Sequence, residues 1–180
     1  SRVMPHLHLS LQAGDDMVLK RMKRRHFRDD ALRVVEQFRA VRPEIVFGAD
    51  IIAGFPTETD EMFENTLKIV DEADLTFLHV FPFSPRPGTP AAKMPQVPRR
   101  IGRERAAVLR AAGARKFRNF CERRVGSQEM VLIERDELGR TEQFVPIAVA
   151  GHAPGSIVPV RTVGMADDGT LIGEPIRTAA

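Results

Sequence analysis

Between His6 and Gln12 the chain alternates: Leu7, Leu9 and Leu11 are apolar, and His6, His8, Ser10 and Gln12 are polar. This period of two predicts a strand with one apolar and one polar face. Gly14, Asp15 and Asp16 follow as a turn and N-cap for a short helix carrying Val18, Leu19 and Met22. A second helical stripe, Ala31, Leu32, Val35, Phe38 and Val41, ends before Pro43. Residues 45–55, IVFGADIIAGF, are apolar almost throughout, with Asp50 as their sole charge. That run is too short and too β-branched for a helix and predicts a strand buried on both faces. Thr57 and Asp60 then have capping-box spacing ahead of a stripe formed by Met62, Phe63, Thr66, Leu67, Ile69, Val70 and Ala73. Residues 76–83 predict a third strand, and SPRPGTPAAKMPQVP predicts a loop without regular structure.

Strand–helix–strand–helix–strand is the order of a parallel α/β sheet or barrel. In a barrel, the residues alternating with the helix-facing leucines point inward, so His6, His8, Ser10 and Gln12 would face a lumen. In a doubly wound sheet those four polar side chains would lie under helices and need buried partners. The polar row therefore favours the barrel.

Beyond the loop the texture changes twice. Residues 99–124 contain no proline and place Leu109, Gly113, Phe117 and Phe120 at i, i+4, i+8 and i+11, a long amphipathic helix. Ten of its residues are Arg or Lys and two are Glu, a charge of +8; the whole chain is +3, so the remainder sums to −5. The basicity is local and suits a polyanion, although a solvated face is the plainer reading. From residue 125 the short β-prone stretches MVLIE, FVPIAVA, SIVPVRTV and TLIGE alternate with turn signals. They predict a small all-β unit, of a size common among five-stranded oligonucleotide-binding barrels. Phe144 is its one candidate for base stacking.

Hydrophobic residues at 43% and charged residues at 28% exclude a disordered chain, and no apolar run approaches the roughly 20 residues that cross a bilayer. A cytoplasmic, membrane-free protein is the expectation. The single cysteine, Cys121, excludes an internal disulfide and any thiolate cluster supplied by this chain alone. The opening on Ser1, already close to strand sequence, suggests a piece of something longer.

Three blocks, HLHLSLQAGDDMVLKRMKRRH, FGADIIAGFPTETDEMF and HVFPFSPRPGTPAAKMP, resemble successive segments of the radical S-adenosylmethionine methylthiotransferases. HLHLSLQ and HVFPFSPRPGT are most similar to the subgroup acting on N6-threonylcarbamoyladenosine beside the tRNA anticodon, and GRTEQFVPI…PGSIVPV resembles the family's TRAM domain. The resemblance implies the second half of a partial (β/α)6 radical SAM barrel with a long basic helix over residues 1–124, and a TRAM-like β domain over 125–180. It also implies S-adenosylmethionine and [4Fe–4S] clusters as cofactors and tRNA as partner. The cluster-binding CxxxCxxC loop is absent, so the clusters would come from a missing N-terminal half, and this chain alone is expected to be inactive.

Mapped on that pattern, Ser10 and Gln12 match the polar lumen positions that embrace the cofactor, and Gly54, Phe55 and Pro56 match the backbone at the next strand's end. Gly54 would let the chain approach a flat adenine. Arg24 matches an arginine able to grip the cofactor carboxylate. Asp50 is either a cofactor or substrate contact or a structural charge paired with Arg or His. His79 and Phe81 are either substrate-side or packing residues. Arg115, Lys116, Arg118, Arg123 and Arg124 are the RNA-binding candidates. No metal site is expected: His6 and His8 lie two apart on one strand, without a carboxylate or third histidine near them in sequence. Ala13, Thr57, His26 and Phe83 depart from the family's usual serine, glycine, tyrosine and tyrosine. A non-catalytic RNA-binding remnant and a ribosomal-protein methylthiotransferase are the alternatives.

Overall fold

A computed structural model describes residues 3–176. The chain divides into two compact units, one of residues 7–116 and one running from Phe117 onward together with the first residues through His6.

The first unit contains β1 (His6–Gln12), α1 (Asp16–Arg21), α2 (Arg28–Val41), β2 (Val46–Ala53), α3 (Asp60–Glu72) and β3 (Leu75–Pro82). Its sheet has the order β1-β2-β3, and β2 and β3 run parallel with Asp50 opposite His79. Parallel strands paired in chain order place the helices between them on one face, because such crossovers are almost always right-handed. Accordingly Phe47, Ala49, Ile51 and Ala53 of β2 join Leu11, Val35, Ile69, Val70 and Leu75 in one core. The opposite face stays accessible: His8, Ser10, His79 and Phe81 are exposed, and Asp50 and Ile52 are half-buried.

Local chemistry sets the ends. Asp15 caps α1, its carboxylate accepting the amides of Met17 and Val18. α3 is capped by Thr59, which accepts from Met62; Thr57 is left at φ +67 in the turn before it, so the expected capping pair is displaced by two residues. The proline-rich stretch also holds more order than its composition predicts. Thr89 caps a 3-10 turn over Pro90–Lys93, where the first proline's missing N–H costs nothing.

α4 (Arg99–Arg124) follows. Ala106, Leu109 and Ala112 enter the core of the first unit, and Gly102 and Arg105 precede them on the same buried stripe, whereas Phe117 and Phe120 are half-buried. A Cβ on Gly113 would meet the Leu78 side chain at 2.8 Å, so that glycine lets the helix lie close to β3.

The second unit is a closed barrel in the order β4-β5-β6-β8-β7. The strands are β4 (Gln128–Arg135), β5 (Leu138–Thr141), β6 (Pro146–Ala148), β7 (Ile157–Met165) and β8 (Leu171–Pro175). Val131, Ile133, Val145, Ile147, Val160 and Leu171 fill it. Closure removes the free edges that short strands would otherwise expose. β5 is a strand that its own residues do not announce: LGRT overlaps a turn signal, and pairing with β4 and β6 makes it a strand.

Candidate functional site on the open face of the sheet

Three adjacent strands place His8, Asp50 and His79 on one rung. Asp50 Oδ1 lies 3.0 Å from His8 Nε2 and 3.3 Å from His79 Nδ1, and the two imidazole centroids are 4.9 Å apart. The first approach is a hydrogen bond in which the carboxylate accepts from His8 Nε2; the second is an ion-pair distance. Gly48 makes the arrangement possible, because a Cβ there would stand 2.7 Å from His8 Nδ1. The expected lack of a carboxylate or third histidine near His6 and His8 is thereby corrected for His8: Asp50 and His79 arrive from neighbouring strands, a proximity that spacing along one strand does not reveal. Two imidazoles and a carboxylate are also donors that a divalent cation accepts. Of the two roles expected for Asp50, pairing with histidine is present.

Above the rung, at the C-terminal ends of the strands, two adjoining depressions of about 510 and 290 Å³ share Gln12, Ile52, Thr89 and Ala91. The larger begins at Asp50 of the rung and is also lined by Phe81, Phe83 and Arg86; Arg24 and Phe55 line the smaller. This is the edge at which parallel α/β sheets bind ligands, and the size suits a nucleoside-containing molecule. Gln12, held at φ +73, borders both depressions. Ser10 is exposed on the same face, but its backbone carbonyl is occupied by Arg24 Nη2 at 2.7 Å.

The backbone candidates are placed differently from their sequence rationale. Gly54 has φ +72, and a Cβ on it would lie 2.7 Å from Gly102 Cα of α4. The close approach it permits is therefore that of a helix, not of an open adenine-sized surface. Its amide donates to Glu58 Oε2 at 2.9 Å. Phe55 and Pro56 are buried, and Phe55 meets Phe83 edge-on with centroids 5.2 Å apart.

Glu58 and Arg105 do not stand out in the sequence. Arg105 Nη1 donates to Glu58 Oε2 at 2.8 Å and to the Glu58 carbonyl at 3.0 Å, tying the β2–α3 turn to α4. Burial pushes the Glu58 carboxyl up, and the Gly54 amide and the Arg105 guanidinium offset this only in part. Its other oxygen, Oε1, is buried without a hydrogen-bond partner. A charge one turn before Leu109 on the buried stripe is the signal that sequence offers for the pair.

Among the basic candidates of α4, Arg115 and Arg123 are exposed. Lys116 reaches Asp71 at 3.1 Å and Asp74 at 3.0 Å. Burial pulls its pKa down, but the two carboxylates outweigh that and raise it. Arg118 Nη2 donates to the Asp167 carbonyl at 3.2 Å, and Arg124 Nε to the buried Glu129 at 2.7 Å. Cys121 is fully buried, and burial pushes its thiol up to about 11, the behaviour of a small hydrophobe.

Residues 2–70 match the radical SAM superfamily. Over 165 residues the chain is 53% identical to the threonylcarbamoyladenosine tRNA methylthiotransferase MtaB of Rickettsia prowazekii, covering 91% of this chain and 39% of that protein. It is 37% identical over 176 residues to the MtaB of Thermotoga maritima, covering 94% and 41%. It is also 42% identical over 187 residues to the tRNA-2-methylthio-N(6)-dimethylallyladenosine synthase of Erythrobacter litoralis, covering 99% and 42%. The chain belongs to the radical SAM methylthiotransferase family. It spans between 39% and 42% of the length of these curated relatives.

Proposed function

We propose that this chain is the C-terminal part of a cytoplasmic tRNA methylthiotransferase that adds a methylthio group to N6-threonylcarbamoyladenosine next to the anticodon. In this reading residues 1–124 form the second half of the radical SAM partial barrel with its basic helix, and residues 125–180 form a TRAM-like domain. The 53% identity to a relative named for that reaction carries the proposal. The polar open face supports it, because a scaffold without a ligand has no need of unburied His8, Asp50 and His79 on the inner side of a sheet. No helix of the described residues is long and apolar enough to cross a membrane.

The residues at the sheet's C-terminal edge fit S-adenosylmethionine in size and polarity. Gln12 would bond its ribose and amino-acid portion, Arg24 its carboxylate, and Ile52 with the edge of Phe55 its apolar surface; Ser10 lies outside both depressions and would take part only through the Arg24 guanidinium that its carbonyl holds. Gly54, Phe55 and Pro56 would act by shaping the floor, since the Gly54 amide is already engaged. When bound, that cofactor supplies the radical chemistry and the methyl group. The protein groups orient the reactants and exclude water. A [4Fe–4S] cluster does not fit this chain: Cys121 is its one thiol and is buried. Its thiolates would come from the remaining part of the enzyme. RNA would be met by the exposed Arg115, Arg118 and Arg123, with Lys116 and Arg124 held in ion pairs.

The test is anaerobic reaction of the reconstituted full-length enzyme with an anticodon stem–loop carrying N6-threonylcarbamoyladenosine, read by nucleoside mass spectrometry. A methylthiolated product from the full-length enzyme, with neither cluster nor product from the 180-residue chain alone, is the expected result. Unmodified RNA from a cluster-loaded full-length enzyme contradicts it.

A further inference from the structure

We infer that the His8–Asp50–His79 rung reads the N6 substituent of the adenosine, accepting one rich in hydrogen-bonding groups and rejecting a hydrocarbon one. The inference rests on the function proposed above. Relatives named for a threonylcarbamoyl substrate and for a dimethylallyl substrate both match this chain at 37% identity or more, so overall likeness leaves the substituent open. The chemistry of the face that would meet it narrows the choice.

Position is the first argument. His8 precedes Gln12 by four residues, and Asp50 precedes Gly54 by four. The rung nevertheless reaches the edge, because Asp50 lines the larger depression with Phe81 and Arg86, and not the smaller one in which the cofactor would sit. A cofactor in the smaller depression therefore leaves Asp50 and the larger depression to the second reactant.

Rigidity is the second. Asp50 and His79 are direct partners across parallel strands, His8 comes from the neighbouring strand, and both rings are fixed by the same oxygen. Groups on adjacent strands hold their geometry better than groups on loops.

The third argument is unspent hydrogen-bonding capacity. His79, whose side chain is 62% exposed, meets Asp50 through Nδ1, which leaves Nε2 for a ligand. Asp50 is half-buried on the same face. A threonylcarbamoyl group brings urea N–H and hydroxyl donors for the Asp50 carboxylate, and both donors and acceptors for His79 Nε2. A dimethylallyl group offers none of these and would cover the rung's polar atoms without satisfying them. Sites built for hydrogen bonds reject analogues that lack them far more strongly than apolar pockets reject an added methylene.

The experiment compares kcat/KM of the full-length enzyme on two anticodon stem–loops that differ only in the N6 substituent, for wild type, His79→Phe and His79→Gln. Wild type should prefer the threonylcarbamoyl stem–loop by at least about a hundredfold. His79→Phe should reduce that preference by about tenfold or more, and His79→Gln, which keeps a donor and an acceptor, should restore much of it. Melting curves should confirm that both variants fold, as an exposed ring predicts. A preference unchanged within about twofold in His79→Phe overturns the inference while the proposed function stands. A wild-type preference for the dimethylallyl stem–loop overturns the inference together with the substrate named in the proposed function. A wild-type enzyme inactive on both overturns the function and the inference with it.

Discussion

Gly54 shows that a close approach legible in sequence does not name its partner. Its place after an apolar strand marks it as a point of close approach, but what approaches is Gly102 of α4, at 2.7 Å from where a Cβ would be. Gly54→Ala combines a left-handed backbone cost of about 1–2 kcal/mol with overpacking of about 1–3 kcal/mol. Denaturant unfolding should therefore show a loss of about 2–5 kcal/mol, and a loss below about 1 kcal/mol contradicts the close approach. Cys121 allows a test of the core from its ionisation. The folded thiol is raised to about 11 from an ordinary 9.0, so the folded chain holds its proton more tightly than the unfolded chain does. Its contribution to stability is complete below pH 9 and is lost as pH rises toward 11. The difference in melting temperature between wild type and Cys121→Ala should shrink across that window, and a constant difference would place the thiol in water.

At the scale of elements, much is legible in sequence. Alternation in HLHLSLQ gives β1 and the face each side chain takes, and the apolar run of residues 46–53 gives a strand, although its expected burial on both faces fails at Asp50 and Ile52, which are half-buried on the open face. Long-range partners are not legible, because periodicity reports which face a residue shares and not what another strand brings to it. His8 and Asp50 lie 42 residues apart in sequence and meet only through the sheet. For the same reason LGRT does not read as a strand: β5 draws its identity from barrel pairing and not from its own propensity. α4 illustrates the limit for charge. Its +8 can be counted, but Lys116 and Arg124 are committed to Asp71, Asp74 and Glu129. Exposed and paired cations should therefore separate in a salt series of filter binding to a tRNA anticodon stem–loop. Replacing Arg115 and Arg123 together by Gln should flatten log K against log salt by about 0.7–0.9 for each phosphate that is no longer neutralised. Lys116→Gln should leave that slope in place and cost at most about 1 kcal/mol of stability. Equal slopes for wild type and the double variant would return α4 to the class of solvated faces.

For the whole molecule, two units divide the labour that the proposed function requires. A three-stranded sheet offers a polar inner face and a ligand-sized edge, and a closed five-stranded barrel follows it in the chain. The order β1-β2-β3 leaves β1 and β3 as the sheet's two edges, which is the geometry of a barrel segment able to accept further strands. The central claim is that this chain serves methylthio addition to threonylcarbamoyladenosine in tRNA. Nucleoside mass spectrometry of bulk tRNA, compared between cells with and without the gene that encodes this chain, tests it most directly. Loss of the methylthio form with accumulation of plain N6-threonylcarbamoyladenosine is the result the account predicts. An unchanged level of the methylthio form in cells lacking the gene, with no other enzyme of the family present, would contradict it.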